Sequence, residues 1–134
     1  MVSKIPRKLR NKGSFGVYVK KADEYLKSMK DCKAKQMYDS AALSAIHSVI
    51  STIDAMLIYK GGIVSASIRH EDAITLLKEL WDGKDVSENA AHALKVIVLK
   101  AAVEYTDYLV SEKQVEILSK HAERFVAWSK TKLP

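Results

Sequence analysis

The chain has 134 residues, 48% of them hydrophobic and 28% charged, with five glycines and two prolines. That is room for one domain with one core, and little material for β-turns. Cys32 is the only cysteine, which excludes an internal disulfide and a cysteine-rich metal knuckle, and the formal charge of +6 lies wholly near the start, since positions 4–35 hold eleven Lys or Arg against three acids while positions 36–134 net −2.

The first thirteen residues carry no helical period and include Pro6 and Gly13. They read as a flexible basic arm, residues 1–13, ahead of a single domain over residues 14–134. No apolar segment of signal-peptide type follows the basic start, and no uninterrupted apolar run approaches about 18 residues. The expectation is therefore a cytoplasmic chain with no membrane association.

Phe15, Val19, Ala22, Leu26 and Met29 recur at spacings of three and four, the stripe of an amphipathic first helix whose other face is largely lysine. A second helix, over about 35–60, carries the seam Met37, Ala41, Ala45, Val49, Ile53, Met56 and Leu57, and Gly61-Gly62 ends it. A shorter helix over about 68–81 turns Ala73, Leu77, Leu80 and Trp81 inward and has Glu71 and Asp72 in its first turn. Asp85 and Glu88 have the spacing of a capping box for a fourth helix, which Val86, Ala90, Leu94, Ile97, Val98, Ala101, Tyr105 and Leu109 carry to about 109. Ser111 and Gln114 repeat that signature for a fifth, with Val115, Leu118, Ala122, Phe125 and Val126 inward. No segment alternates long enough to be a strand. The fold class is thus all-α, an up-and-down bundle of four to five helices.

The run from Ala41 to His47, then Ile53 to Leu57, the Gly61-Gly62 loop and His70 at the start of a short helix resembles the central signature of HEPN domains. Leu99 to Tyr105, Ser111-Glu112 and Ala122 to Trp128 are similar to the closing helices of that family. The resemblance covers roughly residues 15–132. It implies a helical bundle that often forms homodimers, with a functional cleft near the dimer interface, and a possible nucleotidyltransferase partner of the type encoded beside many family members. Catalytic members carry an arginine followed, after four to six residues, by a histidine that acts with it on RNA. This sequence departs from that pattern: none of Arg7, Arg10, Arg69 and Arg124 has a histidine in the corresponding window.

Site candidates come from polar residues placed where the pattern is otherwise apolar. His47, Ser51 and Asp54 fall at i, i+4 and i+7 of the second helix, a polar track in which an Asp–His pair could satisfy itself or hold a ligand. Arg69 and His70 stand where a loop enters a helix, a place suited to an anion such as phosphate. Lys100 lies in the late region where the resemblance places functional residues. His92, near Glu88, and His121, near Arg124, lack the ligand count of a metal site and read as ordinary surface residues. No metal or cofactor is expected, and there is no glycine-rich nucleotide loop. Three functions remain: a non-catalytic module that binds a nucleotide, nucleic acid or partner protein, with the basic first quarter as the nucleic-acid contact; a divergent ribonuclease or toxin component using His70 or His47 with Arg69; or a structural adaptor.

Overall fold

A computed structural model describes residues 4–134. In chain order it contains strand β1 (Arg7–Leu9), a 3-10 turn (Lys12–Ser14), helices α1 (Phe15–Ala34) and α2 (Tyr38–Gly61), strand β2 (Ile63–Ser65), and helices α3 (Glu71–Leu80), α4 (Lys84–Ile97), α5 (Lys100–Tyr105) and α6 (Glu112–Lys132). The fold is all-α in class, and its axis is α2.

Ala41, Ala45, Val49, Ile53, Met56 and Leu57 of the α2 seam are fully enclosed, as are Ile46 and Ile58 on neighbouring faces. Burying one such branched or long side chain contributes about 1.5–3 kcal/mol, so α2 is the largest single source of core energy. Its length and apolarity would let it cross a membrane, yet 72% of its most apolar window is buried within the protein. Two of the polar residues inside it are satisfied locally, Ser48 Oγ donating to the Ala45 carbonyl at 2.7 Å and Thr52 Oγ1 to the Ser48 carbonyl at 2.8 Å. Met37 stands just ahead of the helix and is half exposed.

α1 lies against α2 through Ala22 and Met29, which are buried, with Leu26 beside them. The reversal between the two helices uses Gln36 at φ 61°, the left-handed region. α6 packs Val115, Leu118, Ala122, Phe125 and Val126 into the same core, and its predicted capping box is present: Ser111 accepts from the Gln114 backbone while Gln114 reaches back to the Ser111 backbone.

Three expectations are corrected. The basic arm is not free over its described part, because β1 pairs antiparallel with β2, Arg7 opposite Ser65 and Leu9 opposite Ile63; residues 1–3 of that arm lie outside the described residues. Strands of three residues are too short to show alternation, which is why the sequence hid them. Gly62 makes the pairing possible. It takes φ 63°, closes α2 by donating to the Ile58 carbonyl at 2.8 Å, and accepts at 2.7 Å from the Arg10 backbone, so close that an added Cβ would stand 3.2 Å from the Arg10 oxygen.

The second correction concerns α4. Its N-cap is Gly83, not an acidic capping box, and Asp85 instead accepts from Trp128 Nε1 at 3.0 Å and pairs with Lys132 Nζ at 2.9 Å, both on α6. The third concerns its length. The helix breaks at Val98–Leu99, after a run of β-branched residues, where Leu99 N bonds the Val96 carbonyl in a tighter turn. α5 then ends at Tyr105, so Tyr105 and Leu109, expected inward, are exposed.

Candidate phosphate groove and polar cluster

α2 presents His47 and Asp54 on one side, and the segment from β2 to α3 runs across that side before α5 closes it. Ser67 shapes this segment, donating from Oγ to Asp72 Oδ2 at 2.6 Å and accepting from the Arg69 backbone at 3.1 Å. The result places His70 at the mouth of α3 between two concavities. The inner one, about 100 Å³, is lined by Ile50, Ile53, Asp54, Ser65, Ser67, His70, Ala73 and Ile97. The outer one, about 360 Å³, is a groove lined in part by Ile68, Arg69, His70, Lys100 and Tyr105. All five predicted site residues therefore fall around one region, four of them lining these two concavities and His47 beside them.

Their pairing is not the one the spacing suggests. His47 does not bond Asp54; its Nε2 lies 3.3 Å from Glu104 Oε1 on α5, and its ring stacks on Tyr25 of α1 with centroids 5.2 Å apart. Glu104 is shared, because its other oxygen accepts from Lys100 Nζ. Lys100 is no solvated lysine: its side chain is 13% exposed, and its ammonium also stands 5.3 Å from the centre of the Tyr105 ring. Burial works against its charge, but the Glu104 carboxylate more than offsets that and holds its pKa above the ordinary value. The hydrogen bond from Lys100 in turn pulls the Glu104 pKa down.

His70 is pushed the other way. Burial, and then the Lys100 charge, lower its pKa against the pull of Glu104 and Glu71, so the imidazole is predominantly neutral at neutral pH. Arg69 remains largely exposed, with only a loose 3.9 Å approach to Glu71. Asp54 is the anomaly of the site. Burial raises its carboxyl to about 6 despite the opposing attraction of Arg10 and Lys21, and among the described residues no side chain donates a hydrogen bond to it.

Sequence reasoning missed Glu104, Tyr105 and Tyr25 as members of this cluster. The i, i+4 spacing of Lys100 and Glu104 was the available signal; Tyr25 gave none, since its partner is on another helix. Among the described residues no group of three or more metal-ligating side chains converges.

No curated protein matches the chain in sequence. The family model for the HEPN domain matches residues 16–132, from the start of α1 to the last residue of α6. With that match spanning nearly the whole helical bundle, the chain belongs to the HEPN domain family.

Proposed function

We propose that this chain is a non-catalytic HEPN module that binds a nucleotide or single-stranded RNA in the groove between the Ile68–Glu71 turn and α5. The observation that carries the reading is the lining of that groove: the exposed Arg69 guanidinium, only loosely paired with Glu71, the neutral His70 and the Lys100 ammonium stand beside a Tyr105 ring that is 75% exposed. Cations and N–H donors suit a phosphate, and an exposed aromatic face suits a stacked base. The basic first quarter extends the same sign of charge, with Arg10 and Lys21 close enough to act on Asp54. Ile68, 96% exposed, and Val98 leave apolar surface in the lining of the groove, which supports a homodimer with its cleft there, or a partner protein such as a nucleotidyltransferase on that face.

Fluorescence anisotropy with a labelled single-stranded RNA tests the binding reading. Affinity is expected to fall steeply between low and moderate salt, and by roughly tenfold in Arg69→Ala and Tyr105→Ala. Binding that ignores salt and both substitutions overturns it.

A second reading, a divergent ribonuclease, rests on a separate observation. Two imidazoles and an ammonium gather on this side of α2, His47 is oriented by Glu104, and His70 is held neutral, the state of a general base. End-labelled RNA cut by the wild type but not by His70→Ala or His47→Ala would establish it, and intact RNA throughout removes it.

A further inference from the structure

Asp54 lines the inner cavity, and among the described residues no side chain donates a hydrogen bond to either of its oxygens. We propose, on the footing that the outer groove holds the RNA backbone, that the inner cavity is a base pocket selective for guanine, whose paired N–H donors satisfy both oxygens of Asp54.

The two concavities share His70 and Ile97, so a strand lying in the outer one can send a base into the inner one. A volume of about 100 Å³ is below the roughly 300–1,000 Å³ that encloses a whole small ligand. It takes the inserted edge of a flat ring and leaves the ribose and phosphate outside. Ile50, Ile53 and Ile97 give that ring apolar contact. Arg69 and Lys100 then serve the adjoining phosphate, and Tyr105 a neighbouring base.

The polar lining decides which base enters. Ser67 is committed to Asp72 and to the Arg69 backbone. The Ser65 hydroxyl only accepts, from the Ser67 N–H at 3.2 Å, so its own hydrogen is available, and the neutral His70 ring has one N–H to give. Two carboxylate acceptors together with such donors match the Watson–Crick edge of guanine, where N1–H and N2–H lie side by side next to the O6 acceptor. Uracil instead offers one N–H between two carbonyl oxygens, while adenine and cytosine offer an amino group beside a ring-nitrogen lone pair. Each of these sets a lone pair against the second oxygen of Asp54. The Arg10 and Lys21 charges act on Asp54, and Lys100 acts on His70, which favours a neutral donor over a cationic one. Burial raises the Asp54 carboxyl to about 6, so at pH 7.5 it is predominantly ionised yet poorly hydrated, and base N–H groups replace the missing water.

The probes are labelled five-nucleotide RNAs with uridine at every position except the third, where guanosine, adenosine, cytidine, uridine or inosine stands. Their binding to the full chain is followed by fluorescence anisotropy at pH 7.5. The guanosine strand is expected to bind at least tenfold tighter than those with the three other standard bases, and inosine, which lacks the N2 amino group, to fall between. Asp54→Asn should level the series at the affinity of the weaker strands, whereas Arg69→Ala should weaken every strand and keep the ratios. A series without guanine preference, or a preference that survives Asp54→Asn, overturns the pocket while the phosphate groove stands. Failure of every strand to bind overturns both.

Discussion

His47 and Glu104 meet at 3.3 Å across 57 residues of chain, and Glu104 holds Lys100 with its other oxygen. One carboxylate therefore organises two nitrogen side chains that come from different helices. Replacing it leaves an enclosed ammonium without its partner. Glu104→Ala is expected to lower stability by about 1–2 kcal/mol in urea unfolding, more than the sum of a lost surface pair would explain. Lys100→Met in the same background should recover part of that loss, because no unpaired charge then remains.

Asp54 behaves in the opposite sense. Its folded pKa of about 6 lies above the unfolded value of 3.8, so the folded state holds the extra proton. The stability this contributes is complete below about pH 4 and is lost as pH rises through 6. Asp54→Asn should therefore be more stable than wild type at pH 7, by about 2–3 kcal/mol, and equal to it near pH 3.5. Chemical denaturation at the two pH values checks this. A less stable Asn variant at pH 7 would mean that the carboxylate finds a cation within the protein.

His70 and His121 are both depressed, chiefly by burial, so the unfolded chain takes up protons that the folded chain resists. Their contribution is present above the ordinary histidine pKa near 6.5 and is lost as pH falls below it. In the Asp54→Asn background, where the opposing titration is gone, stability should decline from pH 7.5 to 5. Adding His70→Gln and His121→Gln should flatten that decline.

Gly62 sits at φ 63° with its Cα facing the Arg10 carbonyl oxygen. Gly62→Ala forces a side chain into the left-handed region and against backbone, at a cost of about 1–2 kcal/mol. The loss should be accompanied by faster amide exchange at Arg10, whose N–H bonds the Gly62 carbonyl. Ser111→Ala, which removes the hydroxyl half of the α6 capping box, should cost about 1 kcal/mol with no such effect on Arg10.

The helices were legible because their apolar residues recur at helical spacing and their ends carry local chemistry: the α2 seam from Ala41 onward, the Gly61-Gly62 stop and the Ser111–Gln114 box all appear where the pattern places them. What pattern could not supply was pairing across the fold. Asp85 has the right spacing to cap its own helix, yet Trp128 and Lys132 engage it from α6. His47 has the right spacing to face Asp54, yet Glu104 holds it from α5. Likewise Val98 to Leu109 continues a helical period, but the break at Val98–Leu99 turns Tyr105 and Leu109 outward. In the first two cases a partner distant in sequence overrode a local rule, and in the third a local run of β-branched residues broke the period. The candidate residues were legible as polar exceptions on apolar helices, and their chemistry was legible only once their neighbours were known.

α5 is six residues long and buries none of its side chains completely. A helix that short lacks the cooperativity to persist alone and is held by what it touches, here the bond from Glu104 to His47 and the packing of Val103 against the core. The outer wall of the groove is consequently a unit of low local stability, opening by itself without global unfolding. Its amides should be among the first of the bundle to exchange, and a bound molecule would register there as slowed exchange before any change in the rest of the fold.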